Sequence, residues 1–277
     1  MPLFQPWLEI TTVSNCSIDC SYCPQRIFQK HYHGCKTLVL DDFKLALYSV
    51  PKYVPIHFSG FAEPFLNAQC IDMIEYTHSQ GHKISLFSTL VGLKSKDVKR
   101  LRHCNPEVTL HLPDNLGNAK IPLTQTYKDT LSEAMKQLRI TTLYVMNERF
   151  ISNERAGSCT DTQKRHIRGW FFCEKLSAPQ FVMLPNGDVT LCCMDFGLKH
   201  PLGNLTSQSW FDIIRSPKYQ SVCANRFKID GDVLCRKCAW ASINFRAKYY
   251  IKRVVQRYYA KQCIAQYAKS NFEGVSK

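Results

Sequence analysis

Short apolar runs rich in β-branched and aromatic residues alternate, over the first 150 residues, with stretches whose apolar positions recur at helical spacing. The strand-like runs are WLEITTV (7–13), IHFSG (56–60), ISLFST (84–89), VTLHL (108–112) and LYVMN (143–147). Between them DDFKLALYSV, CIDMIEYTHSQG, KSKDVKRLR and TYKDTLSEAMKQLR read as helices, the second stopping at Gly81 and the third starting after Ser95 as its N-cap. Such alternation predicts parallel strands with crossover helices, hence an α/β sheet or a partial (β/α) TIM-like barrel. Five strands can be counted in this way and no convincing sixth.

Beyond residue 150 the pattern changes. FVMLPNGDVTLCC predicts two strands about Asn186-Gly187, joined by the type I′ turn that this dipeptide favours. A turn and a short helix follow in GNLTSQSWFDIIRSPKYQ, and then LCRKC, a tight turn with two thiols. A small, loop-rich α+β hairpin module of this kind commonly needs a bound metal for its stability. From 240 to 268, Trp240, Ile243, Ala247, Tyr250, Val254 and Tyr258 fall on roughly one face among basic residues, which predicts a basic amphipathic helix. The chain therefore divides into a core (1–150), a small module (151–240) and a C-terminal helix (241–277).

Composition sharpens this outline. With 277 residues, 45% of them apolar, the chain suits one large domain with an appendage and a sizeable core. The start, MPLFQPWLEITTV, has no basic segment ahead of an apolar run, and no apolar stretch reaches the roughly 18 to 20 residues of a membrane span. A soluble, cytoplasmic protein with no membrane partner is expected. The formal charge is +14, and the last 39 residues set eight Lys and Arg against Glu273 alone. That imbalance implies an acidic partner (phosphorylated metabolite, nucleic acid or acidic peptide) or else a solvated basic helix.

Fourteen cysteines in a reducing compartment point to metal ligation or buried thiols rather than disulfides. Cys16, Cys20 and Cys23 form one group, and Cys173, Cys192, Cys193, Cys235 and Cys238 another. Cys35, Cys70, Cys104, Cys159, Cys223 and Cys263 stand alone, and the default for a lone cysteine is a small buried hydrophobe. The first group follows the first strand at its carboxyl end, where parallel α/β folds build active sites from βα loops. SGFAEP and STLVG, after the second and third strands, line the same mouth. Three thiolates suit a zinc site completed by His31, His33 or Cys35, or an iron–sulfur cube held by only three ligands, which leaves one iron open.

CSIDCSYC has the spacing CxxxCxxC with an aromatic residue, Tyr22, before the last cysteine, and so resembles the radical S-adenosylmethionine (radical SAM) superfamily. The resemblance implies that Cys16, Cys20 and Cys23 hold a [4Fe–4S] cluster whose open iron chelates the amino and carboxylate groups of SAM. An electron from a donor such as flavodoxin or ferredoxin then cleaves SAM to methionine and a 5′-deoxyadenosyl radical, which takes a hydrogen atom from substrate. GFAEP is similar to the family's GGEP motif: Gly60 and Glu63 match, while Phe61-Ala62 departs from the second glycine. The match implies that Glu63 holds the SAM ammonium through a charge-assisted hydrogen bond. STLVG stands where the family has a ribose-binding strand end, with Ser88 and Thr89 as hydroxyl partners. His111 points toward the same mouth if its strand is placed correctly.

Cys173, Cys192, Cys235 and Cys238 come from three separated segments and fit either tetrahedral zinc or a fully ligated cube. The run from Cys173 through LPNGDVTLCCMDF and WFDIIRSPKY to GDVLCRKC resembles the SPASM/twitch module, which carries auxiliary [4Fe–4S] clusters. Only Cys263 follows Cys238, so the twitch form with one auxiliary cluster fits better. In that pattern the hairpin ligand lies three residues ahead of Asp195-Phe196, which selects Cys192 and leaves Cys193 on the opposite face.

ISNERAGS, ahead of Cys173, is similar to the 2-deoxy-scyllo-inosamine dehydrogenase-type enzymes, in which an arginine near the auxiliary cluster corresponds to Arg155. The resemblance implies catalysis by oxidation of a secondary alcohol of a sugar or cyclitol, Arg155 binding a substrate or SAM oxygen and the auxiliary cluster taking an electron. The long basic C-terminal helix departs from these relatives. Two alternatives remain. One is crosslinking or epimerisation of a ribosomally made peptide, with Cys193 or Cys223 returning a hydrogen atom. The other is a zinc-stabilised, basic nucleic-acid-binding protein.

Overall fold

A computed structural model describes residues 5–114, 117–146, 155–159 and 166–243. The five expected strands are present as β1 (Trp7–Ile10), β2 (Ile56–Phe58), β3 (Ile84–Ser88), β4 (Glu107–Pro113) and β5 (Ile140–Met146), each parallel to the next. The crossovers carry α2 (Leu40–Tyr48), α3 (Cys70–Ser79), α4 (Val98–Cys104) and α5 (Gln125–Gln137), all expected, and α1 (Gln25–His31), which was not. Ser95 opens a short 3₁₀ turn rather than capping α4, which starts at Val98. α5 begins where the Thr124 side chain accepts from the Tyr127 N–H, satisfying one of the donors that a helix start leaves free.

A sixth parallel strand exists, and it comes from the hairpin. β6 (Gln180–Met183) lies beside β1 with Leu8 opposite Phe181 and Ile10 opposite Met183. β7 (Asp188–Thr190) and β8 (Pro201–Asn204) then add antiparallel, closing one eight-stranded sheet in the order β5-β4-β3-β2-β1-β6-β7-β8. The turn between β6 and β7 is not type I′. Gly187 N–H donates to the Leu184 carbonyl at 2.9 Å with Gly187 at φ 83°, while Asn186 keeps a negative φ. Pro185 fixes the start of a type I turn, and only the glycine enters the left-handed region, giving a three-residue loop with a bulge.

Alternation along the strands separates two faces. Leu8, Ile10, Ile56, Phe58, Leu86, Val108 and Leu110 pack with Phe43, Met73, Ile74, Leu101 and Leu131 from the helices, in one core that continues into the small module. The register places Glu9, His57, Phe87, His111 and Tyr144 on the other face, where each except Glu9 keeps accessible surface. This second face is the lumen side of the partial barrel, and Lys175 from the short helix Glu174–Ser177 reaches onto it. The C-terminal helix expected from 241 onward, and Cys263 with it, lies outside the described residues apart from Ala241–Ile243, where Ser242 bridges to Phe172.

Candidate active site

The cysteine loop leaves β1 and is held by loops from elsewhere. Ser21 N–H donates to the Asn118 carbonyl and Lys120 N–H to the Ile18 carbonyl, both at 2.7 Å, and Lys120 pairs with Asp19. Asp19 itself takes a positive φ of 45°, turning the chain between Cys16 and Cys20. Cys23 N–H closes on the Cys20 carbonyl at 3.0 Å. The Cys16 sulfur accepts from the backbone N–H groups of Glu63 and Ile18, and the Tyr22 hydroxyl faces the Cys20 sulfur. Burial, reinforced by mutual repulsion, pushes Cys20 up to about 11 and Cys23 up to about 12, and raises Cys16 as well. Three adjacent thiolates are stable there only around a positive centre, which is the donor chemistry of a three-ligand iron–sulfur cube.

The SGFAEP loop is clamped to β1. Gly60 has φ +74°, and a Cβ there would meet Thr11 Oγ1 at 2.2 Å, so only glycine fits. Thr11 Oγ1 instead accepts from the Phe61 N–H at 3.2 Å, and Thr12 Oγ1 donates to the Pro64 carbonyl at 2.8 Å. Glu63 is buried and joins this loop to STLVG: it accepts from Ser88 Oγ (2.5 Å), Thr89 N–H (2.7 Å), Thr89 Oγ1 (2.8 Å) and Phe65 N–H (3.4 Å). Burial raises its pKa and these donors pull it back. Four donors fill the roughly four acceptor positions of a carboxylate. Here Glu63, Ser88 and Thr89 brace each other. Phe61, the departure from the glycine-rich motif, packs against Phe28 (5.0 Å) and Phe196 (4.5 Å), which ties the barrel to the small module.

Four further sulfurs meet in the core of the small module. Cys173, Cys192, Cys235 and Cys238 are each only 3–4% exposed and each feels the charge of others in the set. The Cys235 thiol donates to Cys173, lowering Cys173 to about 7 and raising Cys235 well above the usual range. Backbone N–H groups of Leu176 and Lys175 point at Cys173, that of Met194 at Cys192 and that of Trp240 at Cys238 (3.4 Å). Asp195 N–H closes on the Cys192 carbonyl at 2.9 Å, while the Asp195 carboxylate accepts from Thr190 Oγ1, Lys199 N–H and His200 N–H at 2.5, 2.7 and 2.9 Å. Cys193, next in sequence, turns instead toward Glu9, Lys175 and Arg155.

Arg236, inside the CxxC turn, is 1% exposed. Its guanidinium donates to the carbonyls of Gly231, Ile167, Gly169 and Asn225 at 2.6–2.9 Å and to that of Lys228, and it lies over the Phe171 ring. All five of its N–H donors are used on main chain, so one side chain fastens three loops around the cysteines.

The Arg155 guanidinium lies 5.5 Å from the Phe196 ring centre, and its charge is felt by Tyr22, Cys23, His111 and Cys193. His111 faces Tyr144 across 5.9 Å, and burial, with Arg155 adding to it, depresses it to about 4, so the ring is neutral. Sequence reasoning missed three lumen residues. Glu9 accepts from Trp7 Nε1 and Ser59 Oγ, each at 3.1 Å; Lys175 reaches to 4.0 Å from Glu9; His57 stacks on Trp7 at 5.0 Å. Polar residues at inward positions of β1 and β2 were the available signal. Cys159, taken as a lone cysteine, also sits beside the first set, its sulfur 3.0 Å from the Tyr22 carbonyl oxygen. Cys70 and Cys104 are buried as expected of lone cysteines, whereas Cys35 is exposed.

Among the described residues no three His, Cys, Asp or Glu side chains converge closely enough to hold a single metal ion. Tetrahedral zinc would draw its sulfurs to about 3.8 Å of one another, given a Zn–S bond of about 2.3 Å. A cube takes each sulfur on a separate iron and so spans a wider set of ligands. Residues 173–239 match the family model of SPASM, described as an iron–sulfur cluster-binding domain. The match is confined to the small module. No curated protein matches the sequence. Among solved structures, BtrN in complex with AdoMet and 2-DOIA superposes with a TM-score of 0.63 at 16% identity, covering 88% of this chain and 95% of BtrN. Native anSMEcpe with bound AdoMet gives 0.54 at 14% identity, covering 84% and 86%. At these identities the likeness establishes the fold alone, a partial α/β barrel followed by a small α+β module. No helix among the described residues is long and apolar enough to cross a membrane.

Proposed function

We propose that this chain is a radical SAM oxidoreductase that oxidises a secondary alcohol of a sugar or cyclitol. The observation that carries the reading is the presence of two cysteine sets, a loop of three half-buried thiols and a buried set of four, with the Arg155 charge felt at Cys23 of the first and at Cys193 beside the second. When bound, the clusters and SAM would supply a 5′-deoxyadenosyl radical that removes one hydrogen atom and an acceptor for one electron, the hydroxyl proton leaving to solvent or base. An external one-electron carrier starts each cycle. Cys16, Cys20 and Cys23 would hold the first cluster and Cys173, Cys192, Cys235 and Cys238 the second. Gly60 shapes the loop that lies against Cys16, and Glu63, Ser88 and Thr89 hold that loop rigidly in register with the end of β3. Arg155 is the cation placed to meet a substrate or SAM oxygen at the centre, with neutral His111 beside it.

BtrN, with its bound 2-DOIA, supports the small-molecule reading. A second reading, modification of a peptide, draws support from anSMEcpe, solved with AdoMet and the Cp18Cys peptide at a TM-score of 0.53. Deuterium transfer decides between them. Protein purified anaerobically, with its iron and sulfide measured, is incubated with SAM, a reductant and candidates deuterated at the reacting carbon. Label entering 5′-deoxyadenosine from a cyclic alcohol is expected; label arriving from peptides alone overturns the proposal, and a colourless protein with stoichiometric zinc removes both readings.

A further inference from the structure

We infer that residues 244–268 fold back on the small module as an amphipathic helix, its apolar face covering an exposed surface that carries Trp170, Phe227, Ile229 and Ile243; this is independent of the proposed oxidation. Three short segments build that surface side by side. Gly169 N–H donates to the Ile229 carbonyl at 2.9 Å, Phe171 N–H to the Arg226 carbonyl at 3.3 Å, and Phe172 and Ser242 exchange two bonds at 2.8 and 2.9 Å. Arg236 holds the carbonyls of Gly169, Asn225 and Lys228, so the backbone here is fixed. Phe171 is wholly buried, but its neighbour Trp170 remains 47% exposed, and Phe227, Ile229 and Ile243 remain 61, 72 and 66% exposed. Single apolar residues on a surface are ordinary. Four large ones on adjoining segments mark a surface that something covers.

The chain itself supplies the cover. Trp240 packs against the core and the bridge between Phe172 and Ser242 ties the strand of chain down, so residues 244–277 depart from Ile243, within this surface. Further on, Ala247, Tyr250, Val254 and Tyr258 recur three or four residues apart, the spacing that gathers them on one face of a helix, while Arg246, Lys248, Lys252, Arg253 and Arg257 fall off that stripe. A segment tethered at the edge of an apolar surface meets it at high effective concentration, ahead of any partner in solution. Seated there, the helix removes apolar area from water on both sides of the contact and keeps its basic face outward. It also braces the segments that Arg236 fastens around the cysteines.

Limited proteolysis of the full chain, purified anaerobically and kept without SAM or substrate, tests this, because cleavage of a docked segment tracks the fraction of molecules in which it is open. Trypsin cuts after Lys248, Lys252, Arg253 and Arg257, and the released peptides are followed by mass spectrometry. Phe227→Ser/Ile229→Ser is expected to speed these cuts at least about tenfold, through the loss of apolar contact. Val254→Ala/Tyr258→Ala trims the other side of the contact without lowering helix propensity and should give the same acceleration; it decides the matter if the first variant fails to fold. Cleavage as slow as in the unaltered protein, in either variant that folds, overturns the inference. Protection that vanishes on dilution together with a sedimenting dimer also overturns it and assigns the surface to a second copy. Protection that appears only with phosphatidylserine vesicles overturns it in favour of a lipid surface.

Discussion

The first cysteine set comes from eight consecutive residues on a loop and keeps accessible surface, whereas the second is assembled from three separated segments and is almost wholly buried. The first is oriented by a local turn and by donors from neighbouring loops, so the barrel can fold whether or not its sulfurs are engaged. The second is part of the core, and its sulfurs stand where hydrophobic side chains would otherwise pack. Losing the first should therefore be felt in chemistry and losing the second in stability.

The largest effect is expected from Cys20→Ala, which should lower 5′-deoxyadenosine formation about a thousandfold or more while shifting the melting midpoint by no more than about 2 °C; a large fall in melting point would erase the contrast between the sets. Next comes Arg236→Met, which strips five carbonyls of their donor and should cost about 3–5 kcal/mol in urea denaturation. It should also release the iron of one cluster. Cys235→Ala should behave similarly, blocking substrate turnover while some SAM cleavage continues. Glu63→Gln replaces one acceptor with a donor facing Ser88 or Thr89 and should cost about 1–3 kcal/mol, with weaker SAM binding by calorimetry.

Acid should act through the lumen. Burial holds His57 and His111 at about 4, against the pull of Glu9 on His57 and with help from Lys175 there and from Arg155 at His111, while an unfolded histidine titrates near 6.5. As pH falls below 6.5 the unfolded chain takes up protons before the folded one. The stability is complete above about 6.5, drains away toward 4 and then levels off, by roughly 1–3 kcal/mol for each ring. Thermal melts across that window should be flatter in His57→Phe. The smallest effect is reserved for Arg100, which bridges Asp72 and Glu75 between α3 and α4 but remains 40% exposed; Arg100→Ala should cost less than about 1 kcal/mol.

What could be read from sequence was whatever is local in the chain. The spacing of Cys16, Cys20 and Cys23, the motif glycine Gly60 and the alternation of strand and helix all lie within short windows. Convergence of Glu63 with Ser88 and Thr89 was anticipated only as shared occupancy of a mouth, not as the closed carboxylate brace that exists. Glu9, His57 and Lys175 escaped notice because strand register brings them together, and register is a property of pairing rather than of any one segment. α1 escaped because QRIFQKH offers only Ile27 and Phe28 as apolar positions. The turn type was misjudged for a reason visible in the sequence: Pro185 fixes a negative φ two residues before Gly187 and favours type I over its mirror image.

The pairing of β1 with β6 has a consequence for how the protein is made. β1 emerges early from the ribosome, yet one of its two neighbours is not complete until Met183 has been added. At about 5–20 residues per second, that edge stays open for roughly ten to thirty-five seconds. An unpaired, apolar strand edge invites association with other chains. Expression at lower temperature or with chaperones should raise the soluble yield more than surface substitutions do, and a chain truncated near residue 150 should aggregate rather than yield an isolated barrel.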